Sequence, residues 1–218
     1  MSGRLAVDLA GLQIKNPLLA ASGTFGYGVE YEGLLDLSSL GGIVSKGLYL
    51  EPRDGCDVPR IVETPSGLLN AIGLQGVGVR AYVRDVLPRL ERHDTAVVVK
   101  VCGDTVEEYA EVTRILEDAP RVDAIEINIS CPNVKKGGMA FGGDPVTTHA
   151  VVAAVRKATR LPIMPKLSPN VADITVFARA SEEGGADALA LYGRLEEKLE
   201  LAKNQGKISL ALRNPLDQ

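Results

Sequence analysis

Residues 124–138 read AIEINISCPNVKKGG, and this stretch decides the fold. Its isoleucines, at every second position from Ile125 to Ile129, alternate with polar residues, which predicts a buried strand. A Cys-Pro-Asn sequence then breaks the strand into a loop rich in lysine and glycine. The acid, amide and hydroxyl of the strand need partners, because unpaired polar groups are costly to bury. The pattern favours a strand that ends in an active site; the simpler alternative is a half-buried strand followed by an inert cysteine.

The composition is that of an ordinary soluble protein. At 218 residues and 45% apolar content, we expect one domain over residues 1–218. A net charge of −4 argues against a nucleic-acid partner. No apolar run reaches the roughly 20 residues of a membrane span, and no signal peptide is evident, so we expect no membrane partner. Three cysteines without metal-ligand spacing indicate free thiols in the cytoplasm.

Outward from the central strand, predicted strands and helices alternate. A hairpin at residues 4–14 is expected to cover one end of the fold, and the chain carries a long insertion at 48–78. Strands are predicted at 17–22, 42–47, 96–103, 161–167 and 186–191. Helices are predicted at 30–40, 79–91, from 104 onward, at 144–159 and at 173–183.

Short apolar strands that alternate with helices predict an α/β protein with a parallel sheet. An open doubly wound sheet and a TIM-type (β/α) barrel are the two candidates. Polar residues end several different strands, and no glycine-rich fingerprint follows the first strand, which favours the barrel. We therefore predict a barrel of about six strand–helix units with a short tail.

Three lysines lie at the ends of predicted strands: Lys46, Lys100 and Lys166. Any one of them is more simply a surface lysine whose charge reaches water. Together they would form a positive focus for an anionic ligand, or for a cofactor that becomes anionic when reduced. Such a field would favour the thiolate of Cys131, as a nucleophile or a proton acceptor. Residue types alone predict a barrel enzyme that acts on a small anion.

Five segments closely resemble dihydroorotate dehydrogenases, and most of all the catalytic subunit of the NAD-linked, class 1B type. They read NPLLAASGTFGYG, GGIVSKGL, TPSGLLNAIGLQGVG, INISCPNVKKGG and PIMPKLSPN, and the resemblance runs from residue 1 to about 191. It implies an FMN-containing barrel that oxidises dihydroorotate to orotate in pyrimidine (UMP) biosynthesis. It also implies a partner subunit with FAD and an iron–sulfur cluster that passes electrons to NAD.

The same resemblance implies roles for individual residues. Cys131 matches the base that takes a proton from dihydroorotate. Lys100 is the loosest match, since other members place an asparagine there. The residues implied to bind FMN are Ser22, Lys46, Gly47, Lys100, Asn128 and Lys166. Those implied to bind dihydroorotate are Lys46, Asn70, Ala71, Ile72, Gly73, Leu74, Asn128 and Asn133.

From Tyr192 onward the sequence departs from the family pattern. Family members continue into two further units that bind the FMN phosphate, so the resemblance implies a truncated barrel without that phosphate site. In the tail, a helix is predicted at 193–205 and an edge strand at 208–212. Exposed strand edges predict a homo-oligomer. The alternatives are a truncated or recombined fragment without catalysis and, more remotely, a cofactor-free aldolase in which Lys166 forms a Schiff base.

Overall fold

The computed structural model describes residues 5–129, 142–169, 171–192 and 209–212. Those residues contain one parallel sheet and two antiparallel hairpins. In chain order, the strands are β1 Val7–Leu9, β2 Leu12–Ile14, β3 Leu19–Ala20, β4 Gly42–Val44, β5 Ile61–Thr64, β6 Gly67–Asn70, β7 Ala96–Val101, β8 Ala124–Asn128, β9 Ile163–Leu167, β10 Leu189–Tyr192 and β11 Ser209–Leu212.

The parallel sheet has the order β3-β4-β7-β8-β9-β10-β11, so each strand is added beside the one before it. A doubly wound sheet instead reverses its direction of growth at a switch point. The sequential order therefore confirms the barrel-type prediction over the doubly wound alternative. At one edge of the sheet, β11 pairs in parallel with β10, which confirms the strand predicted at 208–212. The helix predicted at 193–205 lies outside the described residues.

Helices cover one face of this sheet. They are α1 Val79–Ala81, a π-helical turn at Tyr82–Val86, α2 Leu87–Leu90, α3 Val106–Glu117, α4 Pro145–Ala158 and α5 Ile174–Glu183. The last three begin at side chains that cap free backbone N–H groups, Thr105, Asp144 and Asp173. All three starts were predictable from these residue types. No helix in the described part of the chain is long and apolar enough to span a membrane.

The prediction of a helix at 30–40 is wrong. The structure has two short 3₁₀ turns there, Val29–Tyr31 and Leu37–Ser39. The side chain of Asp36 accepts a hydrogen bond from the Ser38 N–H and so starts the second turn afresh. Leu34, between the turns, is 83% exposed. The segment therefore lacks the continuous buried stripe that stabilises a helix in a protein.

Alternate residues of the strands face two different cores. One set packs under the helices, and the other forms an apolar base on the inner face of the sheet. The hairpin β1–β2 covers this base, and its turn uses left-handed backbone at Ala10 and Gly11. This arrangement confirms the predicted hairpin. The base consists of Val44, Val98, Ala124, Met164 and Ala188, packed against Leu9, Leu12, Ile14 and Leu19.

Candidate active site

A polar layer lies directly above the apolar base on the inner face of the sheet. Successive side chains on a strand point to opposite faces, so the residue two positions after each base residue returns to the inner face. Four of those five residues are polar, namely Lys46 after β4, Lys100 on β7, Glu126 on β8 and Lys166 on β9, and the fifth is Ala190 on β10. In the strand register Lys100 lies opposite Glu126, and Asn128 lies opposite Lys166. Side chains from successive strands thus converge, as the sequence predicted.

Ser22, Lys100 and Glu126 form a closed triangle of polar contacts. The Ser22 hydroxyl donates to Glu126 Oε1 at 2.9 Å, and Lys100 Nζ lies 3.4 Å from the same oxygen. Lys100 Nζ also donates to Ser22 Oγ at 3.2 Å. The Glu126 side chain is only 1% exposed and that of Lys100 11%. The lysine and the glutamate are therefore a buried ion pair, in which each charge depends on the other for its stability.

Lys166 is the second buried lysine of this layer, at 8% exposure. Burial lowers its pKa below the ordinary lysine value, and the nearby Lys100 ammonium lowers it further. The Glu126 carboxylate acts in the opposite direction and raises the pKa of Lys166. Glu126 thus interacts electrostatically with both lysines.

Above the polar layer, the ends of β7 and β8 are held together by side chains. Asn128 Nδ2 donates to Cys102 Sγ at 3.2 Å. From α3, the Tyr109 hydroxyl donates to the Asn128 carbonyl oxygen at 2.6 Å. These contacts fix the end of β8, from which the chain continues towards Cys131. Residues 130–141 lie outside the described residues, and this range contains Cys131 and Asn133, for which site roles were predicted.

A cleft of about 640 Å³ opens over these residues. Its volume is within the range of small-molecule and cofactor sites, about 300–1,000 Å³. The structure brings six of the residues that the sequence singled out into its lining: Lys46, Gly47, Ile72, Leu74, Lys100 and Asn128. The other lining residues are Gly23, Thr24, Gly26, Tyr49, Gln75 and Cys102.

The insertion at 48–78 reaches the cleft because Arg53 attaches it to Asp104, which follows β7. The Arg53 guanidinium stacks on the Tyr49 ring at 3.5 Å and pairs with Asp104 at 2.5 Å. The backbone groups of Arg53 and Gly76 exchange two hydrogen bonds, of 2.8 and 2.9 Å. This attachment places Ile72 and Leu74 in the lining, whereas Asn70, Ala71 and Gly73 are exposed and outside it.

Two predicted cofactor residues lie beside the lining. Ser22 contacts Lys100 and Glu126 at the floor, and Lys166 lies opposite Asn128 in the register. Sequence reasoning missed Glu126 as a site residue, although a carboxylate on an inner strand face requires a counter-charge, which was a usable signal. It also missed Ser45, whose hydroxyl accepts from the Lys100 N–H at 3.1 Å.

Gly47 lies close to Cys102 at the floor of the cleft, where a Cβ would sit 2.6 Å from the Cys102 sulfur. We expect Gly47→Ala to lower the free energy of unfolding by about 1–3 kcal/mol, because this close-packed site has no room for a methyl group. In the Cys102→Ala background the same substitution should cost little, since the sulfur is gone. Denaturant unfolding measures the change in unfolding free energy in the wild-type and in the Cys102→Ala background. Gly33→Ala is the control, because nothing lies within 4 Å of a Cβ there. An equal loss in both backgrounds would contradict the steric explanation.

Comparison with known proteins agrees with this geometry. The dihydroorotate dehydrogenase family model matches residues 4–194. A Desulforudis audaxviator protein named dihydroorotate dehydrogenase B (NAD(+)), catalytic subunit, is 54% identical over 195 residues, which are 89% of this chain and 64% of that protein. A Pelobacter propionicus protein of the same name is 52% identical, with the same shares covered. An Aquifex aeolicus protein, provisionally named dihydroorotate dehydrogenase A (fumarate), is 47% identical over 94% of this chain and 70% of its own length.

The chain thus spans less than two thirds of the length of the first two relatives. The family model nevertheless covers most of the chain, and it includes every strand of the parallel sheet up to β10. The resemblance that the five sequence segments indicated is therefore confirmed. This chain belongs to the dihydroorotate dehydrogenase family.

Proposed function

We propose that this chain supplies the catalytic part of a dihydroorotate dehydrogenase, which oxidises dihydroorotate to orotate in pyrimidine biosynthesis with FMN as cofactor. The observation that carries the proposal is the inner polar layer of Lys100, Glu126 and Lys166 beneath a cleft of cofactor size. The names of the two bacterial relatives support the same activity.

The residues of the cleft fit FMN. The cofactor is a planar ring system with polar edges and an anionic phosphate, and when bound it accepts a hydride from the substrate. Lysine and asparagine side chains of the lining offer donors to a polar ring edge, and Gly47 lies in the same lining. We propose that Ser22, Lys46, Gly47, Lys100, Asn128 and Lys166 hold FMN.

Dihydroorotate carries a carboxylate on a ring of amide groups. Lys46 would neutralise that carboxylate, and Asn128 would hydrogen-bond to the ring. Ile72 and Leu74 offer apolar walls in the same cleft. We propose Asn70, Ala71, Gly73 and Asn133 as further substrate contacts on the family resemblance alone. On the same basis, we propose that Cys131 takes the proton that leaves the substrate carbon.

The electron acceptor is a separate question. We infer that electrons pass to NAD through a partner subunit with FAD and an iron–sulfur cluster, because the names of two relatives combine NAD with a catalytic subunit. Fumarate is the second candidate, favoured by the name of the Aquifex relative. We also propose a homo-oligomer, which the exposed apolar side chains of β5 and β6 support. We further propose a cytoplasmic location, which the free thiol of Cys56 supports.

The proposal is tested by loading the 218-residue chain with FMN and adding dihydroorotate without oxygen. We expect the flavin absorption band to bleach, with one orotate formed per FMN. NAD should not restore the band unless a partner protein is added, whereas rapid recovery with fumarate would favour the second acceptor. Bound FMN that dihydroorotate cannot bleach would contradict the proposed reaction. Efficient NAD reduction by the chain alone would contradict the proposed partner.

A further inference from the structure

A single buried carboxylate serves the lysines at the floor of the cleft. Glu126 lies on β8, between the strands that carry Lys100 and Lys166. Among the described residues of the polar layer and the cleft lining, the charged groups are Lys46, Lys100, Lys166 and this one carboxylate. The remaining titratable groups of that set are the Cys102 thiol and the Tyr49 hydroxyl. Within this described set, Glu126 is thus the group that carries negative charge opposite the lysines.

We propose that Glu126 is a positioning residue, which holds the Lys100 ammonium at the cleft floor and supplies the counter-charge that lets Lys100 and Lys166 be charged side by side. The two lysines would then present fixed positive charge to an anionic ligand, because Glu126 offsets the repulsion between their ammonium groups. The inference rests on the proposed function only for the identity of that ligand, FMN.

The contacts explain how the Glu126 carboxylate can both hold Lys100 in place and provide counter-charge to Lys100 and Lys166. Lys100 Nζ contacts Ser22 and Glu126, and those two side chains also hydrogen-bond to each other, so the triangle restrains a long and flexible side chain. Lys166 has its pKa lowered by burial and by Lys100, and raised by Glu126. Removing the carboxylate therefore lowers the pKa of Lys166 further. Because a lysine is charged only below its pKa, the cation would then be lost at a lower pH.

Competitive acetylation of the ligand-free chain tests this, since only an uncharged amine reacts with acetic anhydride. At pH 8, with each lysine followed by mass spectrometry, we expect Glu126→Gln to raise the rate at Lys166 about tenfold, which corresponds to one pKa unit. Lys100→Met should lower that rate below wild type, because a repelling charge is removed. The double variant should return close to wild type. Exposed Lys157 is the internal reference, and Glu107→Gln on the surface of α3 is the matched control.

Unchanged acetylation of Lys166 in Glu126→Gln would overturn the proposal, as would a double variant that keeps the full increase. If Glu126→Gln does not fold, Lys100→Met decides by the sign of its effect, and faster acetylation of Lys166 would overturn the proposal. FMN titration gives a second test. Glu126→Gln should weaken FMN binding about tenfold at pH 8, but much less in the Lys100→Met background. A wild-type chain that binds no FMN would contradict the proposed function, and the acetylation result would still decide the role of Glu126.

Discussion

Cys131→Ala should slow the bleaching of bound flavin by dihydroorotate by a factor of about 10² to 10⁴, while FMN stays bound. That range is typical for the loss of a positioned proton acceptor. Cys131 follows β8, whose end is fixed by Asn128 and Tyr109 beside the lysines of the cleft. On the proposed assignment, the positive charge of those lysines would favour a Cys131 thiolate, which could accept the substrate proton.

Stopped-flow absorbance measures the rate, and the flavin spectrum measures occupancy. Cys131→Ser should keep a trace of activity that rises with pH, because a hydroxyl loses its proton far less readily than a thiol. The control is Cys56→Ala, since Cys56 is a free and exposed cysteine. An alanine variant at position 131 that bleaches flavin at the wild-type rate would eliminate Cys131 as the base.

Lys166→Met should lower the same rate by about 10² to 10³, the usual loss when one preorganised donor is removed from a developing negative charge. Lys166 is a buried cation on the inner face, where its charge is little screened by water. Its pKa is lowered by burial and by Lys100, so the ammonium is lost at a lower pH than an ordinary lysine. The wild-type rate should therefore fall as the pH rises into the alkaline range.

A pH profile separates this role from a structural one. In Lys166→Met the alkaline fall should be absent, because the titrating group is gone. Lys157→Met is the matched control, as Lys157 is exposed near the end of α4. A methionine variant with an undiminished rate, or with the wild-type pH profile, would remove Lys166 from the reaction.

Elements with a strong local signal were predictable. The starts of α3, α4 and α5 follow from Thr105, Asp144 and Asp173, because a capping side chain acts on N–H groups only two or three residues away. The helix predicted at 30–40 failed because Leu34 and Leu35 are exposed while Leu37 is fully buried, and which of the leucines are buried cannot be read from composition. The β5–β6 hairpin was not predicted because all of its residues are exposed, which leaves no alternation of buried and exposed positions.

Some site residues were likewise predictable from sequence, whereas others depend on tertiary contacts. Lysines at strand ends were visible in the sequence, and the parallel sheet brings them to one face. The partner of Lys100 was not visible, because Ser22 is 78 residues away and only the register of β7 with β8 shows which carboxylate meets it. The exposure of Asn70 likewise depends on how Arg53 attaches the insertion, which is a tertiary contact.

The Lys100–Glu126 pair has a consequence for folding errors. If β8 slipped by one residue along β7, every side chain of β8 would change faces, and Glu126 would enter the apolar layer formed by Val97, Val99 and Ile163. An unpaired buried carboxylate costs several kcal/mol, and the abandoned Lys100 would add a similar penalty. A slipped sheet would thus be strongly disfavoured before any ligand arrives. The Lys100–Glu126 ion pair at the floor of the cleft would therefore also favour the correct register of β7 and β8 during folding.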